Sequence, residues 1–375
     1  MDRDDLQAWL RLTLAPGVGN ETSRKLLATF GSAQAIFEQS PAALRQLGSD
    51  RLERALLEEP PALADLLQTT RDWLAAAGDR QVVTLGDAAY PASLLNIADP
   101  PLMLYMMGSL AAPSSMAGAG PCLAIVGSRN PTPQGEVNAR QFAKSFGASG
   151  MCVVSGLAMG VDGAAHDGAL LGGGTTIAVV GTGLDRVYPK KHLELAHRIA
   201  AQGMIISEFP LGTPPISSNF PKRNRIISGL SQGVLVIEAA LKSGSLITAR
   251  MATEQGKEVF AIPGSIHSPQ SRGCHWLIKQ GAKLVENAED VLEELKLPSS
   301  RAAESDADEE DEASEAAPAD KGFMAALGFD VVSLDALQAR TGLPTPELQT
   351  KLLELELDGV LTRLPGGLFQ RMART

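Results

Sequence analysis

The segment NFPKRNR carries Lys222, Arg223 and Arg225 within four residues, with Phe220 and Asn224 beside them. Lysine and arginine side chains bind phosphate oxygens through charge-assisted hydrogen bonds. The segment therefore predicts a contact with a polyanion.

Other glycine-containing or cationic loops follow the predicted strands of the chain. They contain Gly127, Ser128 and Arg129 in GSR, Lys190 and Lys191 in YPKKH, Lys242, and Gly244 and Ser245 in SGSLITA. Loops that follow parallel strands meet at one edge of the sheet. We therefore expect seven cations to converge there: Arg129, Lys190, Lys191, Lys222, Arg223, Arg225 and Lys242. Glycines let the backbone approach a ligand, and the helix N-termini after such loops offer amide groups to anions.

Eight short apolar runs predict the sheet. They are QVVTL (81–85), CLAIVG (122–127), MCVVSG (151–156), TIAVVG (176–181), MIISE (204–208), GVLVIEA (233–239), EVFAIPG (258–264) and KLVEN (283–287). Apolar residues do not alternate with polar ones in these runs, which is typical of strands buried on both faces. Helical stretches separate most of the runs, so the predicted fold class is α/β, a Rossmann-like, doubly wound, mostly parallel sheet over residues 79–298.

Helical spacing of apolar residues, as in Leu6, Trp9 and Leu10, predicts a helical domain over residues 1–78. Within it, PGVG (16–19) predicts a tight turn between two helices and resembles the helix-hairpin-helix motif, whose glycine amides can hold a DNA phosphate. The companion segment SPAALRQLGSDRLERAL lacks the glycine pair. A helical bundle that uses the turn only for packing is therefore the alternative.

Two segments follow the sheet. Residues 299–320 hold nine acids, one base and, apart from one proline, no apolar residue larger than alanine, so we predict an acidic, disordered linker. Residues 321–375 predict a winged-helix domain: a short helix capped by Ser333, a second helix PTPELQTKLLELELDG, and two strands around Pro-Gly-Gly. The second helix carries four acids against one lysine. We expect it to contact protein or to be structural, because the acids would repel phosphate.

Charge and cysteine content narrow the class of protein. The 375-residue chain has a formal net charge of -10, yet the linker carries most of it, and residues 186–257 hold ten Lys/Arg against four Asp/Glu. No apolar run could span a bilayer, and the N-terminus lacks the features of a signal peptide. Cys122, Cys152 and Cys274 form no CxxC pair. We expect reduced thiols in a cytoplasmic protein without a membrane partner.

Three other kinds of site find little support in the sequence. GSRNPTPQG departs from GxGxxG, no Walker A sequence occurs, and no acid ends the second strand as a ribose partner. Asp162, His166 and Asp167 lie close in sequence without a G-x-S-x-G elbow, and we interpret His166 as a hydrogen-bonded packing residue. Histidines and cysteines do not cluster at metal-ligand spacing. We therefore predict no cofactor, no metal and no catalytic residue.

With these blocks in order, the chain resembles the DprA (Smf) family of DNA-processing proteins. Between Tyr90-Pro91 and residue 285 the matching blocks are GSR (127–129), SGLAMGVDGAAHDGAL (155–170), AVVGTGLDRVYPKKH (178–192), SEFPLG (207–212), NFPKRNRIISGLS (219–231), EAALKSGSLITA (238–249), and AIPGS with GCHWLIKQGA (261–282). A helical SAM-like domain and a winged helix usually flank the sheet in that family. The resemblance implies a non-enzymatic, cytoplasmic homodimer that binds and protects single-stranded DNA and loads RecA during natural transformation.

The resemblance also implies roles for individual residues. Arg129 and Lys190 match family positions that contact phosphate, and Phe220 is the aromatic placed to stack on a base. The remaining matches are Arg223, Asn224 and Arg225 of the FPxRNR run, Lys222 at a position where the family tolerates other residues, and the backbone and hydroxyl contacts of Gly244 and Ser245. A nucleotide-binding or phosphoribohydrolase-like enzyme using the same pocket is the alternative. The PGGxGTxxE signature of such enzymes is missing, with GSLITA in its place.

Overall fold

The computed structural model describes residues 2–47, 50–109, 120–297, 318–328 and 331–372. Most of the predicted acidic linker therefore lies outside the described residues. A helix already begins at Pro318, inside the predicted bounds of the linker. In the described ranges no helix combines the length and the apolar character needed to cross a bilayer.

The N-terminal part is helical, as its apolar spacing predicts. Its helices are α1 (Arg3–Leu14), α2 (Asn20–Phe30), α3 (Ala33–Phe37), α4 (Pro41–Leu47), α5 (Asp50–Leu57) and α6 (Leu63–Ala76). Asp2 caps α1 by accepting a hydrogen bond from the Asp5 amide at 2.8 Å. Leu6, Trp9 and Leu10 are buried and belong to an apolar cluster that also contains Tyr105 of the sheet. The helices therefore share a core with the α/β part.

The central sheet has nine described strands. They are β1 (Arg80–Thr84), β2 (Met103–Gly108), β3 (Cys122–Val126), β4 (Cys152–Ser155), β5 (Thr176–Val179), β6 (Met204–Ser207), β7 (Gly233–Val236), β8 (Glu258–Ala261) and β9 (Lys283–Leu284). Their order is β1-β2-β6-β5-β4-β3-β7-β8-β9. Only the pairings of β1 with β2 and of β2 with β6 are antiparallel. Each predicted run overlaps one strand, and the mostly parallel α/β fold is confirmed.

Strand β2 was not among the predicted runs. Its sequence MLYMMG contains no β-branched residue, so composition did not mark it as a strand. It lies between β1 and β6 in the sheet, and Leu104 and Tyr105 are fully buried there. Its place in the sheet therefore depends on its neighbours rather than on its intrinsic propensity.

Helices cover both faces of this sheet. They are α7 (Pro133–Ala148), α8 (Val161–Leu171), α9 (Leu193–Gln202), α10 (Asn219–Leu230), α11 (Ser245–Glu254), α12 (Arg272–Lys279) and α13 (Ala288–Glu294). Alternate residues of a strand point to opposite faces. In β3, Ala124 packs in one cluster with Ile226 of α10, whereas Leu123 packs in another with Phe146 of α7. The sheet is therefore doubly wound.

The direction of winding reverses beside β3. From β3 the chain moves through β4 and β5 to β6 on one side, and then returns to β7, which pairs with the other edge of β3. The loops that leave β3 and β7 consequently diverge at their carboxyl ends. Open α/β sheets bind ligands in the crevice that this divergence creates.

The C-terminal part has the predicted winged-helix layout. Its elements are α14 (Pro318–Leu327), β10 (Val332–Ser333), α15 (Leu334–Thr341), α16 (Thr345–Leu357), β11 (Leu361–Leu364) and β12 (Leu368–Arg371). Ser333 caps α15 by accepting from the Ala336 amide at 3.2 Å. The three strands form an antiparallel sheet in the order β10-β12-β11. On α16, the predicted second helix, Glu347, Glu354 and Glu356 are exposed.

Candidate nucleic-acid interface

A pocket of about 490 Å³ opens at the crevice between β3 and β7. Eight of the predicted site residues line it: Gly127, Ser128, Arg129, Phe220, Arg223, Asn224, Gly244 and Ser245. They come from the loop after β3, from the first turns of α10, and from the loop that leads into α11. Asp162, Lys242 and Gln270 also line it. The sheet edge thus brings together residues that are more than 100 positions apart in the chain.

Arg129 is the exposed cation on the β3 side of the pocket. Its guanidinium carbon lies 5.6 Å from the centre of the Phe220 ring, and no described carboxylate pairs with it. Glu238, just after β7, holds the loop that carries Arg129, because it accepts hydrogen bonds from the Thr132 amide at 2.9 Å and from the Thr132 hydroxyl at 2.6 Å. Burial raises the pKa of Glu238, and these two hydrogen bonds oppose the rise. Arg129 therefore lies on a loop that is held in place, and its charge is not paired with a described carboxylate.

Arg223 is the cation at the floor of the pocket. Its side chain is 4% exposed, and its Nη1 donates to the carbonyl oxygen of Val179, the last residue of β5, at 2.6 Å. A Cβ at Gly156 would lie 1.8 Å from Nη1, so only glycine leaves room for the guanidinium there. Burial lowers the pKa of Arg223 to about 10, and the carboxylate of Asp162 opposes this.

Asp162 is the one acid among the lining residues of this pocket. Burial raises its pKa, and the charge of Arg223 opposes that rise. Its Oδ2 accepts from the Ala158 amide at 3.3 Å. The Nε of Arg223 is buried without a hydrogen-bond partner. The floor therefore presents a guanidinium whose hydrogen bonding is incomplete, opposite a carboxylate that is held by the backbone.

Helix α11 begins at the pocket wall. Gly244 precedes it without a side-chain cap, and the hydroxyls of Ser243 and Ser245 are hydrogen-bonded to each other at 2.7 Å. Asn224 of α10 reaches the carbonyl of Gly244 at 3.5 Å and so joins the two helices. The first amides of a helix carry partial positive charge and favour an anion. This end of the pocket therefore adds backbone donors to the cations.

The face of α10 decides which of its residues line the pocket. Phe220, Arg223, Asn224 and Ile227 follow the helical spacing i, i+3, i+4 and i+7, and all four line it. Lys222 belongs to another face. It lines a separate pocket together with Val18 and Gly19 of the N-terminal turn. The predicted cationic segment is thus divided between two pockets.

Arg225 does not take part in the site as predicted. Its Nη1 and Nη2 donate to the two carboxylate oxygens of Glu208 at 2.5 and 2.6 Å, and its Nε donates to the Asp99 carbonyl at 2.8 Å. The Arg225 and Glu208 side chains are each 13% exposed. The charge of Arg225 is therefore neutralised by Glu208, and the pair fixes α10 to the end of β6.

Lys191 also lies apart from the pocket. It lines a groove over α7, α8 and α9, together with Arg140, Asp167 and Arg198. Asp167 is paired with both arginines, at 3.0 and 2.7 Å. Of the seven cations expected to converge, Arg129, Arg223 and Lys242 line the main pocket. The prediction of one cradle built from all seven is wrong, because side chains on different faces of the same loops and helices diverge.

Tyr188 was not among the predicted site residues, but it lies beside the pocket. Its ring centre is 5.8 Å from that of Phe220, and the two ring planes are inclined by 37°. Lys190, two residues further on, is exposed and without a described acidic partner. The prediction that Phe220 alone is placed for stacking is therefore incomplete. The aromatic residue of YPKKH, next to the cations already singled out, was the available signal.

His166 is a packing residue, as the sequence suggests. It is fully buried, its Nδ1 lies 2.6 Å from the Thr176 hydroxyl, and burial lowers its pKa to about 3. It is therefore neutral at physiological pH.

We expect Glu208→Ala to lower the free energy of unfolding by about 3 kcal/mol, because it removes the buried acid that pairs with both Nη atoms of Arg225 and leaves only the half-exposed Asp99 beside the guanidinium. Guanidinium denaturation followed by circular dichroism measures the change. Glu254→Ala is the matched control, since Glu254 pairs with Arg250 on an exposed helix surface, where such pairs contribute about 0.3–0.5 kcal/mol. Equal effects of the two substitutions would contradict a structural role of the Arg225 pair.

The fold and the pocket define a class of protein: a doubly wound α/β domain with a cationic pocket at its topological switch point, a helical N-terminal part and a winged helix. Residues 81–296 match the family model for DNA recombination-mediator protein A, residues 300–367 match the DprA winged helix domain, and residues 3–59 match the DprA-like N-terminal HHH domain. The chain belongs to the DNA recombination-mediator protein A family, known as DprA or Smf.

Relatives and solved structures agree with this membership. Protein Smf of Escherichia coli is 48% identical over 284 residues, which cover 74% of each chain. DNA processing protein DprA of Bacillus subtilis is 37% identical over 278 residues, 73% of this chain and 91% of the relative. The structure of DprA from Streptococcus pneumoniae superposes with a TM-score of 0.66 at 35% identity, covering 78% of this chain and 98% of the other.

DNA processing protein A of Helicobacter pylori, solved in a study of its single-stranded DNA binding mode, gives a TM-score of 0.51. It is 32% identical, and the match covers 58% of this chain and 96% of the other. The resemblance found in the sequence is thus confirmed at the level of family and fold.

Proposed function

We propose that this protein binds single-stranded DNA in the main pocket and, as a cytoplasmic homodimer, protects the strand and loads RecA onto it during natural transformation. The observation that carries the DNA-binding part is the grouping of Arg129, Arg223 and Lys242 with Phe220 around one pocket. The Helicobacter pylori relative, whose single-stranded DNA binding mode has been studied, supports the same ligand.

The shape and chemistry of the pocket favour an unpaired strand over a duplex. A duplex presents phosphates on its outside and keeps its bases stacked, whereas a single strand can place phosphate and base on neighbouring protein groups. Arg129 offers a charge beside the ring of Phe220. A phosphate can thus meet the guanidinium while its base lies against the aromatic ring, without any reading of sequence.

We propose binding without bond cleavage. Asp162 is the one acid that lines the pocket. Its Oδ2 accepts a hydrogen bond from the Ala158 amide, and the positive charge of Arg223 opposes the rise that burial causes in its pKa. His166 is buried and hydrogen-bonded to Thr176. A phosphoribohydrolase-like reaction needs an available acid or base beside the glycosidic bond, whereas the one acid of this lining is buried at the pocket floor and held by the backbone. A phosphoribohydrolase-like enzyme would instead cleave nucleoside monophosphates during incubation, and chromatography of the products measures that cleavage.

We expect clear preference for oligo-dT over a duplex of equal length in fluorescence anisotropy titrations. If about four phosphates are neutralised, the slope of log K against log salt is near -3 for the single strand. Homopolymers of dT and dC should bind with similar affinity, because the site reads no base edge. Equal affinity for single strand and duplex would overturn the proposed ligand.

The RecA step and the dimer have their own tests. RecA filament growth on a single strand covered by single-strand-binding protein should begin sooner when this protein is present, and light scattering should give twice the monomer mass. A faster start that persists in a variant unable to bind DNA would show that loading does not proceed through the pocket.

A further inference from the structure

Tyr188 is an aromatic residue with an exposed ring next to the pocket. Tyr188 is 49% exposed, and among the aromatic residues that the structure describes only Trp276, at 44%, is comparably exposed. Phe220, its neighbour at 5.8 Å, is half-buried and packs against Gly181 at the end of β5. Tyr188 is therefore the ring of this pair with the larger free surface.

The loop after β5 carries Tyr188 and is anchored to the rest of the fold on both sides of this residue. Asp185 accepts a hydrogen bond from the Gly212 amide at 2.8 Å, and the Nδ1 of His192 donates to the carbonyl of Leu157 at 3.0 Å. Leu184 anchors the start of the loop in the apolar core. An exposed ring on an anchored loop loses little conformational freedom when a planar ligand stacks on it.

Charge and aromatic surface continue from the pocket along this loop. The Arg129 guanidinium lies 5.6 Å from the Phe220 ring centre, and the Phe220 ring lies 5.8 Å from that of Tyr188. Two residues beyond Tyr188, Lys190 is exposed, and none of the described carboxylates pairs with it. Tyr188 and Lys190 thus repeat, outside the pocket, the combination of one ring and one cation that Phe220 and Arg129 form inside it.

We propose that Tyr188 forms a second nucleotide subsite in which a base stacks on its ring, while the phosphate meets Lys190, the contact that the family resemblance already implies. This inference rests on the proposed single-stranded DNA binding and extends it. The strand leaves the pocket past Phe220 and continues over Tyr188. The ligand of the subsite is any nucleotide with a base, because every base has a face that can stack.

The test separates the base from the phosphate. Tyr188→Ala should weaken oligo-dT binding about tenfold, which corresponds to about 1.4 kcal/mol and lies within the range for one stacked base. The same variant should bind an abasic oligonucleotide of equal length as the unaltered protein does. Tyr188→Phe keeps the ring and should bind oligo-dT normally. Leu193→Ala, which removes another exposed side chain from the same region, is the matched control and should leave both affinities unchanged.

Each contrary outcome has a distinct meaning. Equal losses of dT and abasic binding in Tyr188→Ala would overturn stacking, since the loop would then act through phosphate alone. A loss in Tyr188→Phe as large as in Tyr188→Ala would assign the effect to the hydroxyl and also overturn it. If the unaltered protein fails to bind oligo-dT, the proposed function itself falls. Photocrosslinking of a strand containing 5-iododeoxyuridine should map to Tyr188, and its absence there would contradict the subsite.

Discussion

Replacing Arg129 and Lys190 together by alanine is expected to lower the affinity for oligo-dT by at least about 100-fold at low salt. A hydrogen bond to a charged group contributes about 1.5–3 kcal/mol, and the two substitutions each remove one such phosphate contact. Arg129 and Lys190 are exposed and have no described acidic partner, so the charge of each is available to a DNA phosphate in the unaltered protein. The loss should be the same for dT and dC strands, because phosphate contacts carry no sequence information.

Salt dependence provides the sharper measurement for this double variant. Each phosphate contact to a single strand contributes about -0.7 to the slope of log K against log salt, so the slope should flatten by about 1.4. Anisotropy titrations at several salt concentrations give this value directly. The control changes the same charge elsewhere: Arg250→Ala with Lys283→Ala removes two exposed cations that pair with Glu254 and Glu294. If both double variants change the slope equally, overall charge rather than the pocket governs binding.

Arg223→Met is expected to lower the free energy of unfolding by about 2–4 kcal/mol and to abolish measurable binding of oligo-dT. The substitution removes the donor to the Val179 carbonyl and the charge that opposes Asp162, both at buried positions. Methionine fills a similar volume beside Gly156, so the expected loss comes from charge and hydrogen bonding rather than from a cavity. Thermal and chemical denaturation measure the stability, and titrations of the folded variant measure binding.

The pH dependence of this variant follows from Asp162. Burial already raises the pKa of Asp162 in the folded protein, and removing Arg223 takes away the strongest of the groups that oppose that rise, leaving Arg129 and the Ala158 and Gly156 amides. The folded variant then binds a proton more tightly than the unfolded chain does, so its stability falls as pH rises through the raised pKa. The stability gap to the unaltered protein should narrow as pH is lowered toward and below that pKa. Adding Asp162→Asn should recover part of the stability at neutral pH, whereas independent, additive losses would contradict the coupling.

Much of the fold was predictable because local composition and burial agree in the parallel sheet. The runs CLAIVG and TIAVVG mark β3 and β5, since strands buried on both faces need continuous apolar residues. The cap at Ser333 was predictable for the same local reason. Strand β2 was not, because MLYMMG owes its conformation to the strands on either side of it.

The candidate site divides along a similar line. That Arg129, Phe220 and Gly244 meet at one edge followed from the rule that parallel strands end together, and the chain carries this rule in its alternation of strands and helices. The sequence could not show that Arg225 of α10 is paired with Glu208, an acid 17 residues away that the end of β6 places beside it.

By itself, then, the sequence determined that the loops after β3 and β7 and the start of α10 reach the pocket, since strand order and motif spacing are written in local residue patterns. Only the tertiary structure decided which side chains on those loops face it. Lys191 and Lys222 turn into other grooves, and Tyr188 comes to lie against Phe220. The reason is that the direction of a side chain depends on the orientation of its helix or loop against the rest of the fold. Packing over the whole molecule sets that orientation.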